Sequence, residues 1–144
     1  MSSTPGATPP LRVLVYSDDV ATRTELRLAL GRRPAPELPR IEVEEFATEP
    51  ALVRRMREGG ADSVDLAVLD GEAVPAGGMG ICRGLKEEIY RCPPILVVIG
   101  RLQDAWLATW SRADAVVPQP IDPRDLADAA AALLRQRIAA RTPA

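Results

Sequence analysis

The sequence predicts an α/β protein, a three-layer α/β/α sandwich around one parallel sheet. Short apolar runs alternate five times with stretches of helical periodicity. A strict βα alternation means parallel strands joined by right-handed helical crossovers. One run, Ile95 to Ile99 (ILVVI), is apolar at every position, as a strand covered on both faces must be. The 144 residues suffice for one domain with a single core.

Taken in order, residues 1–10 are, Met1 and Ala7 apart, Ser, Thr, Gly and Pro with little to bury, and read as a disordered leader. LRVLVY, from Leu11 to Tyr16, is the first strand. Ser17, Asp18 and Asp19 follow it and suit the cap of a helix carrying Leu26, Leu28 and Leu30, with Gly31 as its stop. Three prolines between Arg32 and Arg40 make that stretch a connector. Ile41 to Phe46 alternates apolar and acidic residues, the pattern of a half-wet edge strand. Thr48 caps the second helix and Pro50 sits in its first turn. Leu52, Val53 and Met56 are buried and Gly59–Gly60 ends it. The third strand and third helix lie within Asp65 to Lys86. After Ile99, a short helix carries Trp106 and Trp110, and Ala115 to Val117 is a last short strand. Asp122 caps the final helix, whose apolar stripe is Leu126, Ala130, Leu133, Leu134 and Ile138. Residues 139–144 read as a flexible tail.

Composition excludes several functions. The formal charge is −2 with both signs interspersed, whereas a nucleic-acid surface needs a clustered basic face. No histidine is present, which removes imidazole acid–base catalysis, His-type triads and imidazole metal sites. Cys82 and Cys92 make no zinc pattern and read as reduced thiols of a cytoplasmic protein. No apolar run approaches the ~20 residues of a membrane helix, and no secretory signal is visible.

Chemistry concentrates in DLAVLDGEAVPAGGMGICRGLK, from Asp65 to Lys86. An apolar run, Leu66 to Leu69, stops at a carboxylate, Asp70. A Gly- and Pro-rich loop leads into a helix with Ile81, Leu85 and Ile89 on one face. The carboxyl ends of parallel strands are where such sheets place ligands and chemistry. Asp70 is therefore a candidate functional residue, although this stretch by itself favours the plainer role of a cap for its own loop.

The order of motifs resembles the receiver domain of bacterial two-component response regulators. VLVYSDD, DLAVLDGE…P…GG…CRGLK, PPILVVIGR and ADAVVPQPIDPRDL carry the likeness, over nearly all of Leu11 to Arg135. It implies a flavodoxin-like (βα)5 fold with sheet order 2-1-3-4-5 and a receiver-like domain over residues 11–138. In that family an aspartate ending strand three accepts a phosphoryl group, and Asp70 matches it. The resemblance places Mg²⁺ on two acids after strand one, matched here by Ser17 and Asp18, and on a carbonyl matched by Glu72. Asp18, Asp70 and Glu72 are thus weak metal candidates, with Asp19 able to swing in for the serine. Ile99 stands where the family has a Thr or Ser, and Gln119 where it has a Lys before a cis proline. Val116 replaces an aromatic switch, the loop proline is shifted to Pro75, and the fourth helix is short.

These departures weaken the chemistry. Phosphoryl transfer to a carboxylate is mostly positioning and charge neutralisation. A serine brings no charge to a cation, and a glutamine gives a neutral hydrogen bond, worth ~1 kcal/mol against ~1.5–3 for a charged one. The expectation is an atypical stand-alone receiver, not an enzyme, which signals by protein contact without conventional Mg²⁺-dependent phosphorylation. Partners would be a protein, a sensor kinase among the possibilities, or a second copy through the helix 4–strand 5–helix 5 face. Of Trp106 and Trp110, one is expected buried and the other rimming the interface. Three rival readings stand: a phosphorylatable receiver in a phosphorelay, a phosphate or small-ligand binder using Gly77–Gly78–Met79–Gly80 at a helix start, and a phosphohydrolase with Asp70 as nucleophile.

Overall fold

Each predicted strand and helix forms at its place in the order. The elements are β1 (Leu11–Tyr16), α1 (Val20–Leu30), β2 (Ile41–Phe46), α2 (Glu49–Arg57), β3 (Leu66–Asp70) and α3 (Gly78–Glu88). They continue with β4 (Ile95–Ile99), α4 (Ala105–Ser111), β5 (Ala115–Pro118) and α5 (Pro123–Arg141). This computed structural model describes residues 8–59, 62–101 and 105–141. The strands are all parallel in the order β2-β1-β3-β4-β5. The sandwich and its flavodoxin-like topology are as expected, with the Glu-rich β2 on an edge and β4 buried throughout.

Side-chain alternation divides the core in two. Val13, Val15, Val68, Leu96 and Val98 meet Leu26 and Leu30 of α1 and Leu126, Ala130 and Leu134 of α5 on one face. Leu14, Tyr16, Leu69, Val97 and Ile99 meet Leu52 and Met56 of α2 and Ile81, Cys82 and Leu85 of α3 on the other. Each fully buried leucine contributes ~1.5–3 kcal/mol, so the two faces dominate stability. Asp19, Thr48 and Asp122 cap their helices as predicted. Asp19 accepts from the Ala21 N–H, Thr48 from Ala51, and Asp122 from Arg124 and Asp125.

Several boundaries differ. Leu28 is 71% exposed, because it lies about 200° around the helix from Leu26, while Leu30 returns to the core face. Met56 and Leu52 are buried, but α2 ends at Arg57. β5 runs one residue further, to Pro118. The last helix continues to Arg141, into the segment expected to be a flexible tail. Arg141 is held there by Asp65, a buried carboxylate that also accepts the Arg12 N–H at 2.8 Å. Residues 1–7 of the expected leader and 142–144 of the tail lie outside the described residues. Among the described residues no helix is long and apolar enough to cross a membrane.

Candidate functional site

Tyr16 and Leu69 are register partners on β1 and β3. The residues that follow them, Ser17 and Asp70, therefore meet at the carboxyl edge of the sheet. Both are buried. The Ser17 hydroxyl donates to Asp70 Oδ2 at 2.8 Å, and the Glu72 backbone N–H donates to Asp70 Oδ1 at 2.8 Å. Asp70 thus caps its loop and faces the β1 loop at once. Each of its oxygens already has a donor. Ser17 Oγ in turn accepts the Asp19 N–H at 3.1 Å.

The neighbouring carboxylates are committed elsewhere. Asp18 Oδ1 accepts the Val74 N–H at 3.0 Å, which ties the β1–α1 loop to the β3–α3 loop. Asp19 accepts from the Thr22 hydroxyl at 2.8 Å and the Ala21 N–H at 3.3 Å. Those bonds, the Thr22 hydroxyl first, hold its carboxyl below the usual range. In this structure Asp19 is the cap of α1, and swinging in for the serine would release that cap. The Glu72 carboxylate lies against Gly100, in the space a Cβ there would need. Among the described residues no three His, Cys, Asp or Glu side chains are grouped to hold a metal ion. Ser17, turned as a donor to Asp70, brings no charge to a cation, so Asp18 and Asp70 are the two acids at the position where the resemblance puts Mg²⁺, an ion that prefers near-ideal octahedral oxygen ligands.

The degenerate positions surround this pair. Ile99 is buried in the core beneath α2 and α3, and Val116 packs at the margin of the same core. Gln119 is half-buried, its N–H donates to the Ile99 carbonyl at 2.8 Å, and its bond to Pro120 is cis, as the resemblance implied. The sole lysine of the sequence, Lys86, bonds Asp114 at 2.6 Å. Asp114 also accepts from Ile95 at the start of β4, the opposite end of the sheet. No lysine therefore stands near Asp70.

Gly77 and Gly78 serve close approach. A Cβ on Gly78 would sit 2.8 Å from both the Asp70 carbonyl and the Leu69 Cβ, and one on Gly77 would sit 2.8 Å from the Gly71 carbonyl. Gly77 has an ordinary φ of −79°, so close approach and not a left-handed backbone calls for glycine there.

Two residues of the site went unread in the sequence. Tyr16 donates its hydroxyl to the Ala76 carbonyl at 2.6 Å, stapling β1 to the β3–α3 loop. Burial, then the charges of Glu49, Asp18 and Asp70, push its pKa up. Arg23 donates to the Ser17 carbonyl at 2.7 Å and pairs with Glu45 of β2 at 3.2 Å. A cation in the first turns of a helix opposes the helix dipole, and that misfit was the available signal.

Both tryptophans are exposed, Trp106 by 69% and Trp110 by 47%, which corrects the expectation of one buried and one at the rim. Arg83 of α3 stacks 4.9 Å from the Trp110 ring centroid and donates to its carbonyl at 2.7 Å. α4 leans on α3 and turns its tryptophan face to water. The thiols are free, and burial pushes Cys82 up to about 12, which leaves it unreactive.

No family model matches the chain. It is 53% identical over 131 residues to an uncharacterised response regulatory protein of Mycobacterium tuberculosis, found in two strains, covering 91% of this chain and 96% of that protein. Among solved structures it resembles a CheY-like response regulator receiver domain protein of Methanospirillum hungatei, with a TM-score of 0.69, 22% identity, and 92% and 99% of the two chains covered. A receiver domain protein from Clostridium thermocellum gives a TM-score of 0.73 at 21% identity, covering 90% and 98%. The chemotaxis response regulator of Vibrio cholerae gives 0.70 at 16% identity, covering 88% and 100%.

Proposed function

The chain belongs to the response-regulator receiver family of two-component signalling, and from that premise we propose that it signals by protein contact, without conventional Mg²⁺-dependent phosphorylation of Asp70. The hydrogen bond from Ser17 to Asp70 carries this reading. It puts a neutral donor where the family places a metal-binding acid, and it occupies one acceptor oxygen. A phosphoryl group arriving at Asp70 would add negative charge with no lysine to offset it. Ile99 has no hydroxyl with which to follow a phosphoryl oxygen.

Contact with a partner would then use surface residues already in place. Trp106 and Trp110 supply exposed aromatic area of the kind that anchors interfaces, for a sensor kinase, another protein or a second copy across the α4–β5–α5 face. The decisive experiment incubates the protein with Mg²⁺ and acetyl phosphate and measures its intact mass. An unchanged mass is expected. A stoichiometric gain of one phosphoryl group, abolished in Asp70→Ala, would establish a phosphorylatable receiver instead.

A further inference from the structure

We propose that the charge state of Asp70 is read by the first turn of α1, through Ser17, and not by β4 and β5. The inference goes beyond the reading above and stands whether or not Asp70 accepts a phosphoryl group.

Ser17 is a hub with four polar connections, one of them its own N–H, which donates to the Phe46 carbonyl of β2 at 3.2 Å. Its hydroxyl donates to Asp70 Oδ2, the same oxygen atom accepts the Asp19 N–H, and its carbonyl accepts Arg23 Nη1. Asp19 is the N-cap of α1, and Arg23 lies one turn in, bonded through its own N–H to the Asp19 carbonyl at 3.1 Å. Apart from the backbone bond to β2, the links that lead away from Asp70 end on the cap and first turn of α1. Toward the other edge of the sheet the polar links from the Asp70 loop are the Gly71 N–H on the Val98 carbonyl at 2.7 Å and the Glu72 carboxylate lying against Gly100, while the switch positions beyond are apolar. Ile99 and Val116 offer hydrocarbon only, and the Gln119 backbone N–H is bound to Ile99.

Polarity makes the hub sensitive. A hydroxyl has one proton to give and two lone pairs with which to accept. While Asp70 is anionic both its oxygens accept, one from Ser17 and one from the Glu72 N–H. Neutralising or capping that carboxylate breaks the arrangement. In Asp70→Asn the Glu72 N–H still requires the amide oxygen, so the amide nitrogen faces Ser17 and donates to it. The serine proton then loses its acceptor. The Ser17 proton turns away from position 70, Oγ now accepts from two donors, and sharing that oxygen weakens its bond to the Asp19 N–H. The cap of α1 loosens in consequence.

Amide hydrogen exchange on the full chain tests this, comparing wild type with Asp70→Asn, Ser17→Ala and the double variant. In Asp70→Asn, the amides of Asp19 through Arg23 should exchange about fivefold faster, the equivalent of one neutral hydrogen bond. Amides of β4, β5 and α4 should keep wild-type rates. Ser17→Ala should speed the same α1 amides, and the double variant should add nothing to the larger single effect. A merely structural serine would give the Ser17→Ala change without the Asp70→Asn change. Unchanged α1 amides in Asp70→Asn, additive effects, or a response in β4–β5 would each overturn the proposal. The mass measurement with acetyl phosphate is independent of all of these outcomes.

Discussion

One hydroxyl at position 17 changes what the aspartate at position 70 can do. Ser17 is buried and hydrogen-bonded on both sides, so the site is satisfied without a cation. Ser17→Asp places a second carboxylate in hydrogen-bond range of Asp70, and two like charges in a buried site oppose each other's ionisation. This variant should lose about 2–4 kcal/mol of stability in the absence of divalent ions, the scale of an uncompensated buried charge. Millimolar Mg²⁺ should restore part of the loss by bridging the two acids, whereas wild type should not respond. Thermal melts with and without Mg²⁺ check both statements, and an equal Mg²⁺ shift in wild type would contradict them. At this scale the sequence was informative about identity and weak about commitment. Asp70, Ser17, Ile99 and Gln119 were legible from their places after strands. That Asp19 is spent on capping, and that Arg23 reaches back to the Ser17 carbonyl, depends on rotamers that no spacing reveals.

Within single elements, the same residue type has opposite meanings. Gly78 opens α3 pressed on the Asp70 carbonyl, while Gly80 and Gly84 lie further along the helix with open space where a Cβ would go. Gly78→Ala should therefore destabilise the fold by about 1–3 kcal/mol through overpacking. Gly80→Ala and Gly84→Ala should each stabilise it by about 0.4–1 kcal/mol, because alanine restricts the unfolded chain and suits a helix interior. Urea denaturation resolves these signs, and a stabilising Gly78→Ala would refute the close-approach account. Elements themselves were legible because period and punctuation agree. The prolines at 50 and 123, the caps at Thr48 and Asp122, and the unbroken run of β4 all act locally. The exceptions came from longer-range causes. α5 continues to Arg141 because Asp65, seventy-six residues away, anchors it, and periodicity cannot report such a partner. Leu28 looked like core by composition and faces water by angle.

Across the whole molecule, the polar edge of the sheet is built by the loops after β1 and β3, and the exposed aromatic surface by α4. Among the described residues the two core faces take most of the large apolar side chains, yet both tryptophans of the sequence stay outside them. Burying indole would be worth more than burying leucine, so leaving both in water forgoes stability that the fold otherwise takes. The sequence showed that the pair shares a helix face. It did not show which way that face turns, because a seven-residue helix leaning on α3 has too few contacts to impose an orientation by pattern alone. Trp106→Ala should accordingly cost under about 0.5 kcal/mol, as for an ordinary surface position. Trp110→Ala should cost about 0.5–1 kcal/mol more through loss of the stack with Arg83. Because no other tryptophan contributes, intrinsic fluorescence reports on this surface alone: acrylamide should quench the folded protein almost as well as the urea-unfolded chain. If copies pair across the α4–β5–α5 face, quenching should fall as concentration rises while sedimentation velocity shows a heavier species. Trp106→Ala/Trp110→Ala should remove that species at unchanged fold. A heavier species that survives the double substitution would place self-association on another surface and leave the tryptophans for a different protein.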